Sequence, residues 1–296
     1  MRTVPGWASR MRGVLVLMLC SSGMARAQIF VDLKMETETA VAYEPVKAVV
    51  TIQNRTGSDL HLRGPAGTSW LNFQIHDGRR NLVAPFPNRA IPKPELLKAG
   101  KNLSLRIPVN AMYPVNEVGG YRIVASVYYE PLRTFFDSPV RHFTVDDGRT
   151  VWSRVVGATG AFQRHSLLRY RDRTETRLYY RLSDDQTGVV RKTFSLGKLV
   201  NYRDPQVAVD GRGNVHVLHM GAPQQYVHSI IGPEGTVDAQ KKYDEVAGNL
   251  PKVVQDEDGG VRIEGGITPE EKAEDKRERL GELSKIRRLS DRPYGF

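Results

Sequence analysis

The stretch Asp204-Pro205-Gln206-Val207-Ala208-Val209-Asp210-Gly211-Arg212-Gly213-Asn214-Val215-His216-Val217-Leu218 constrains this chain more than any other. β-Branched residues alternate on either side of Asp-Gly-Arg-Gly-Asn, which supplies the positive φ angles of a tight turn, so the segment reads as a β-hairpin. The pattern returns in Leu250 to Asp256 and Gly259 to Ile263. Pro205 matches Pro251, Val207 matches Val253, Asp210 matches Asp256, Gly213 matches Gly259 and Val217 matches Ile263, at a spacing of 46 residues. Gly188 and Gly235 repeat at 47. Such periods belong to propeller blades. Residues 148–266 then hold two to three blade-like repeats, too few for a ring, which needs about four or more. The array must stay open, dock on another part of the chain, or close by association.

Upstream, short runs of alternating apolar residues are separated by turns: Ile29 to Met35, Pro45 to Ile52, Trp70 to Ile75, Leu103 to Ile107, Tyr121 to Tyr129 and Val140 to Val145. Strands at this spacing, with no helical period among them, predict an antiparallel sandwich over 28–147. The four prolines between Pro85 and Pro94 predict an irregular excursion or an edge crossing. The expected class is all-β: a sandwich, a blade-like repeat domain beginning near Asp146-Asp147-Gly148, and a charged tail over 267–296. In that tail, Thr268-Pro269-Glu270-Glu271 has the form of a capping box, with acids early and bases late, so a polar helix is expected.

The quoted elements Glu44-Pro45-Val46, Val50-Thr51-Ile52-Gln53-Asn54, Phe73 to Gly78, Leu97 to Lys101 and Gly120-Tyr121-Arg122-Ile123 resemble bacterial immunoglobulin-like modules. Their order is also similar to that of the BsuPI-type intracellular proteinase inhibitors. The resemblance spans about two-fifths of the chain and rests on strand and turn consensus. The inhibitor likeness implies a protease-binding loop, and the export signal departs from an intracellular role.

Residues 1–27 read as a secretory signal: Arg2, Arg10 and Arg12, an apolar core from Val14 to Leu19, and Ala25-Arg26-Ala27 as the cleavage site. The apolar run is too short for a stable membrane anchor. Leu19 before Cys20 is a poor flank for lipidation, so cleavage after Ala27 is preferred. Cleavage removes four arginines and lowers the formal charge from +10 to +6. It also removes the one cysteine, and with it any disulfide, thiol nucleophile or thiolate metal site. The moderate positive charge suits a protein or envelope polymer as partner. Nucleic acid is not expected, because no basic run interleaved with aromatics stands out before the C-terminal tail. Open sheet edges offer a further route, to oligomerisation.

No local catalytic or cofactor motif is present, and no cofactor or metal is expected. His216, His219 and His228 form the nearest approach to a metal set. His216 and His219 lie on opposite strand faces, and the hairpin allows His219 and His228 to approach each other, but two imidazoles without a firm third ligand make a weak zinc site, so structural or surface histidines are the expectation. Asp256-Glu257-Asp258-Gly259-Gly260 is explained by turn chemistry as readily as by calcium. The carboxylate pairs Asp146-Asp147 and Asp184-Asp185 diverge in extended chain and do not form an acid–base couple. The binding candidates are Arg133, Phe135 and Phe136, in the connection Glu130 to Asp137, an interface-like composition in a connecting segment. The expected function is an exported, non-enzymatic binding or scaffolding protein. Its rivals are a protease inhibitor acting through a sandwich loop and a glycan-directed enzyme with a dispersed site.

Overall fold

The computed structural model describes residues 29–65, 68–87, 93, 95–157, 162–246 and 248–290. Residues 1–27, where the sequence leads one to expect an export signal, with Cys20, and much of the proline-rich excursion lie outside these residues. The first unit contains β1 (Ile29–Met35), β2 (Thr39–Val41), β3 (Lys47–Asn54), β4 (Leu60–Leu62), β5 (Leu71–His76), β6 (Glu95–Leu97), β7 (Asn102–Pro108), β8 (Gly119–Tyr129), β9 (Thr134–Asp137) and β10 (Arg141–Asp146). One sheet has the order β1-β3-β7, the other β2-β10-β8-β5 with β9 added along β8, and β4 pairs with β6. All pairings are antiparallel except β2 on β10.

Alternation drives the assembly. Ile29, Val31, Leu33 and Met35 of β1 face inward, as do Ala48, Val50 and Ile52 of β3 and Tyr121, Ile123, Ala125 and Val127 of β8. These side chains, with fully buried Trp70, Phe143 and Tyr113, make one continuous core. Each fully buried large side chain contributes roughly 1.5–3 kcal/mol. Tyr113 also receives the Phe73 N–H on its hydroxyl at 3.0 Å, so its polar end is satisfied within that core.

The second unit is built from β11 (Arg149–Val156), β12 (Gln163–Arg171), β13 (Thr176–Asp184), β14 (Val190–Lys198), β15 (Gln206–Val209), β16 (Val215–Ala222), β17 (Gln225–Ile231), β18 (Val237–Asp244), β19 (Lys252–Gln255) and β20 (Val261–Glu264). β11 to β14 form one four-stranded meander, β15 to β18 a second, and β19-β20 a two-stranded start of a third. The two meanders pack face to face: Leu167, Leu178, Tyr180, Leu182 and Leu196 of the first meet Val209, Val215, Val217 and Ile231 of the second. On the far face of the second, Leu218, Met220 and Tyr226 pack against Val253 and Ile263 of the last hairpin. This stacking is compatible with a propeller-like array of two blades and a half.

The 46-residue repeat is visible in the hydrogen bonds. Asp210 N–H donates to Asn214 O at 3.0 Å and Gly213 N–H to Asp210 O at 3.0 Å, while Asp256 N–H donates to Gly260 O at 2.8 Å and Gly259 N–H to Asp256 O at 3.0 Å. Gly213 and Gly259 both adopt positive φ, 84° and 82°. The two turns join directly through Gly211 N–H to Gly259 O at 3.0 Å.

The array docks on the sandwich. Val41 of β2 is fully buried against Leu168 and Tyr179, with Tyr170 beside them. Arg181 donates to Ala42 O at 3.1 Å and pairs with Asp147 at 2.8 Å. At the other end α1 (Pro269–Ser290) leaves through the capping box, with Thr268 N–H donating to Glu271 Oε2 at 2.7 Å and Glu271 N–H to Thr268 Oγ1 at 3.3 Å. No helix among the described residues is long and apolar enough to cross a membrane.

Candidate functional site

The docking of sandwich on first blade leaves an open cleft of about 900 Å³. The β1–β2 connection and β10 form one wall, and the β12–β13 turn forms the other. That turn is rigid for a local reason. Asp172 Oδ1 accepts three hydrogen bonds, from Thr174 N–H at 2.7 Å, Thr174 Oγ1–H at 2.9 Å and Glu175 N–H at 2.8 Å. These bonds hold the Asp172 carboxyl below its usual range, and they carry Arg171 and Arg173 to the lip of the cleft.

Opposite, Glu44 accepts the Val41 N–H at 3.1 Å. Burial pushes its carboxyl above the usual range, against the pull of that N–H, of Arg177 and of the Tyr179 hydroxyl. Glu36 is bound to Arg106 at 2.7 Å, and Arg177 to Glu175 at 2.6 Å. Glu36, Glu44 and Asp172 are thus committed to their own turns or to ion pairs, and Glu38 is the one carboxylate of the lining with no side-chain partner among the described residues. His142 lines the cleft, and its imidazole has no hydrogen-bond partner among the described residues. A second cleft of about 570 Å³ continues from the first through Tyr170 and Arg171, and is lined further by Arg149, Arg169 and Asn201.

The sequence candidates fall elsewhere. Glu130–Leu132 is a 3₁₀ turn that ends on Arg133 in a left-handed conformation, φ 51°. The segment after it is itself a strand, β9, paired back onto β8. Neighbouring residues of a strand point to opposite faces. Phe135 accordingly lies outside, 44% exposed, with its ring 5.1 Å from Tyr128. Phe136 turns inward against the core, 5.9 Å from Tyr129. The two rings do not share a patch.

The histidines require a correction. His219 and His228 do not meet: register pairs His219 with Val227 and Leu218 with His228, which sets the two imidazoles on opposite faces of the blade. The pair that forms is His216 with His228, Nδ1 to Nε2 at 3.2 Å with rings stacked 5.3 Å apart. Asp210 Oδ2 lies 3.4 Å from His216 Nε2. All three imidazoles are buried inside the array and none lines either cleft. Among the described residues no group of three or more His, Cys, Asp or Glu could hold a metal. The acidic turn at Asp256 is occupied, Asp256 by an ion pair with Arg262 and Asp258 by the Gly260 N–H at 3.1 Å. The paired carboxylates diverge: Asp146 caps Gly148 N–H at 2.9 Å and Asp147 reaches Arg181, while Asp184 caps its turn and Asp185 pairs with Arg164 at 2.5 Å.

Sequence reading missed both clefts. The signal for them in the sequence is the run Arg169-Tyr170-Arg171-Asp172-Arg173, three cations around one acid. Comparison with protein-family models and with curated proteins returns no match.

Proposed function

We propose that this is an exported, non-enzymatic binding protein that holds an anionic protein or envelope polymer in the cleft between its immunoglobulin-like sandwich and its first blade. One observation carries the reading: Arg171 and Arg173 stand at the cleft mouth without an ion-pair partner among the described residues, while Glu36, Glu44 and Asp172 are each engaged. Cations presented on a fixed turn favour binding of an anion over acid–base catalysis, which needs a carboxylate with a free, convergent partner. The test is co-sedimentation of the chain from Gln28 with an isolated acidic envelope polymer. Retention should fall with added salt and drop at least fivefold on Arg173→Glu. Equal retention of the variant and the parent would overturn the proposal.

A second reading, protease inhibition, is favoured by the hairpin tip, where Leu132 is 63% exposed beside left-handed Arg133. Its measurement is protease activity at saturating protein. Full activity in the presence of the parent chain, or equal inhibition by Leu132→Asp, removes it.

A further inference from the structure

We infer that Arg149, Arg169 and Arg171 form a binding site for a phosphate or phosphodiester group, which deepens the binding role proposed above and rests on it. Arg149 and Arg169 are direct register partners across β11 and β12. Direct partners share a face, with Cβ atoms about 5 Å apart, and like charges so placed destabilise a sheet. Arg171 follows two positions later on the same strand and so on the same face.

Elsewhere in this sheet, apart from exposed Arg154, the arginines are neutralised. Arg164, Arg177, Arg181 and Arg191 each have a carboxylate partner, at 2.5, 2.6, 2.8 and 3.6 Å. The three cleft arginines have no ion pair among the described residues. Arg169 is held by Asn201, whose Oδ1 accepts from Nη1 at 2.6 Å, and this orients its remaining N–H groups without neutralising them. The lining contains one carboxylate, Asp146, and its Oδ1 already accepts the Gly148 N–H at 2.9 Å.

Sequence composition concentrates the field at this blade. Residues 149–203 carry twelve Lys and Arg against four Asp and Glu, whereas residues 204–266 carry five against ten. Guanidinium forks match the paired oxygens of a phosphate, and clustered arginines are suited to a phosphate group whether it carries one negative charge, as a diester, or nearly two, as a free phosphate. A phosphodiester of an envelope polymer or a lipid headgroup presents the same oxygens as a phosphate free in solution. The experiment separates these sources.

The full exported chain is titrated calorimetrically with inorganic phosphate and with pyrophosphate, and is separately sedimented with phosphatidylglycerol or phosphatidylcholine vesicles. Saturable binding of either soluble anion is expected, weakened at least tenfold in Arg149→Gln/Arg169→Gln and unchanged in Arg154→Gln, an exposed arginine of the same sheet outside both clefts. Sedimentation with phosphatidylglycerol alone, lost in the same double variant, assigns the site to a membrane-borne phosphate. Without ligand the double variant should melt no lower than the parent, because the substitution relieves like-charge opposition. That result guards against loss of binding through misfolding. Absence of binding in every arm, or equal binding by the double variant and Arg154→Gln, overturns the inference. If phosphate fails while the Arg173-dependent retention of polymer persists, the binding role stands and only this ligand assignment falls.

Discussion

His219 lies on the face of the second blade turned toward the first, 2% exposed, and neither ring nitrogen has a hydrogen-bond partner. Burial lowers the imidazole pKa to about 4, against the opposing pull of the Lys198 carbonyl. His228 is lowered to about 4 as well, by burial first and then by His216 and Lys241. An unfolded histidine titrates near 6.5, so between about pH 6.5 and 4 the unfolded chain binds the extra protons. The stability that depends on keeping these imidazoles neutral is therefore fully present above pH 6.5 and is lost as the pH falls toward 4, with His219 alone accounting for about 3 kcal/mol. His219→Leu removes an unpartnered polar group from the interior, so it should stabilise at pH 7.5 by about 1 kcal/mol and by more at pH 4.5. Urea melts at the two pH values check this, and parallel acid limbs in parent and variant would refute it. The burial of His219 was not legible in sequence. Its strand parity was, but which face a second sheet would cover depends on residues some 40 positions earlier.

At the scale of elements, the same turn is used in unrelated sheets. Asp77-Gly78-Arg79-Arg80-Asn81 and Asp210-Gly211-Arg212-Gly213-Asn214 share their bonds: the Asp Oδ1 accepts the N–H two residues on at 2.9 Å and the Asn N–H at 2.8 Å in both. The position before Asn has positive φ in both, 69° in Arg80 and 84° in Gly213. A side chain in that region is strained, so Gly213→Ala should cost about 1 kcal/mol. Arg80→Gly should be neutral or slightly stabilising, since strain is already present there. Equilibrium melts decide, and equal effects of opposite expectation would show that packing, not φ, sets the cost. The helix start was equally readable. Thr268→Ala should weaken α1 by about 1 kcal/mol, seen as faster amide exchange at Glu271 and Lys272 with little change in global melting. Elements without apolar alternation were not readable. β14 and β18 are polar along much of their length and become strands because β13 and β17 offer them ladders. β2 and β9 are three and four residues long and exist only by pairing with β10 and β8. The polar edges also bear Arg191 and Lys192 on β14 and Lys241 and Lys242 on β18, a pattern that discourages strand addition and so weakens the case for partners at those edges.

For the whole molecule, the arrangement answers how so few blades can stand without a ring. One end of the stack is covered by the sandwich through Val41, Leu168 and Tyr179, and the other by β19-β20 and the base of α1, which Lys272 ties to Asp244 at 2.6 Å. Val41→Ala should cost about 2 kcal/mol and loosen the docked units, separating one thermal transition into two in calorimetry. A single transition shifted by under half a degree would show that the contact does not couple them. The sequence by itself determined the all-β class, the alternating strands of the sandwich, the 46-residue repeat, its turns and the capped helix, because each is written in contiguous residues whose backbone preference or period is local. Only the tertiary structure decided which histidines pair, which face of each blade is covered, and that Arg149, Arg169 and Arg171 share a cleft beside the docked sandwich. Those facts depend on strand register and on contacts between distant segments, where burial and charge are set by what arrives on the opposite side.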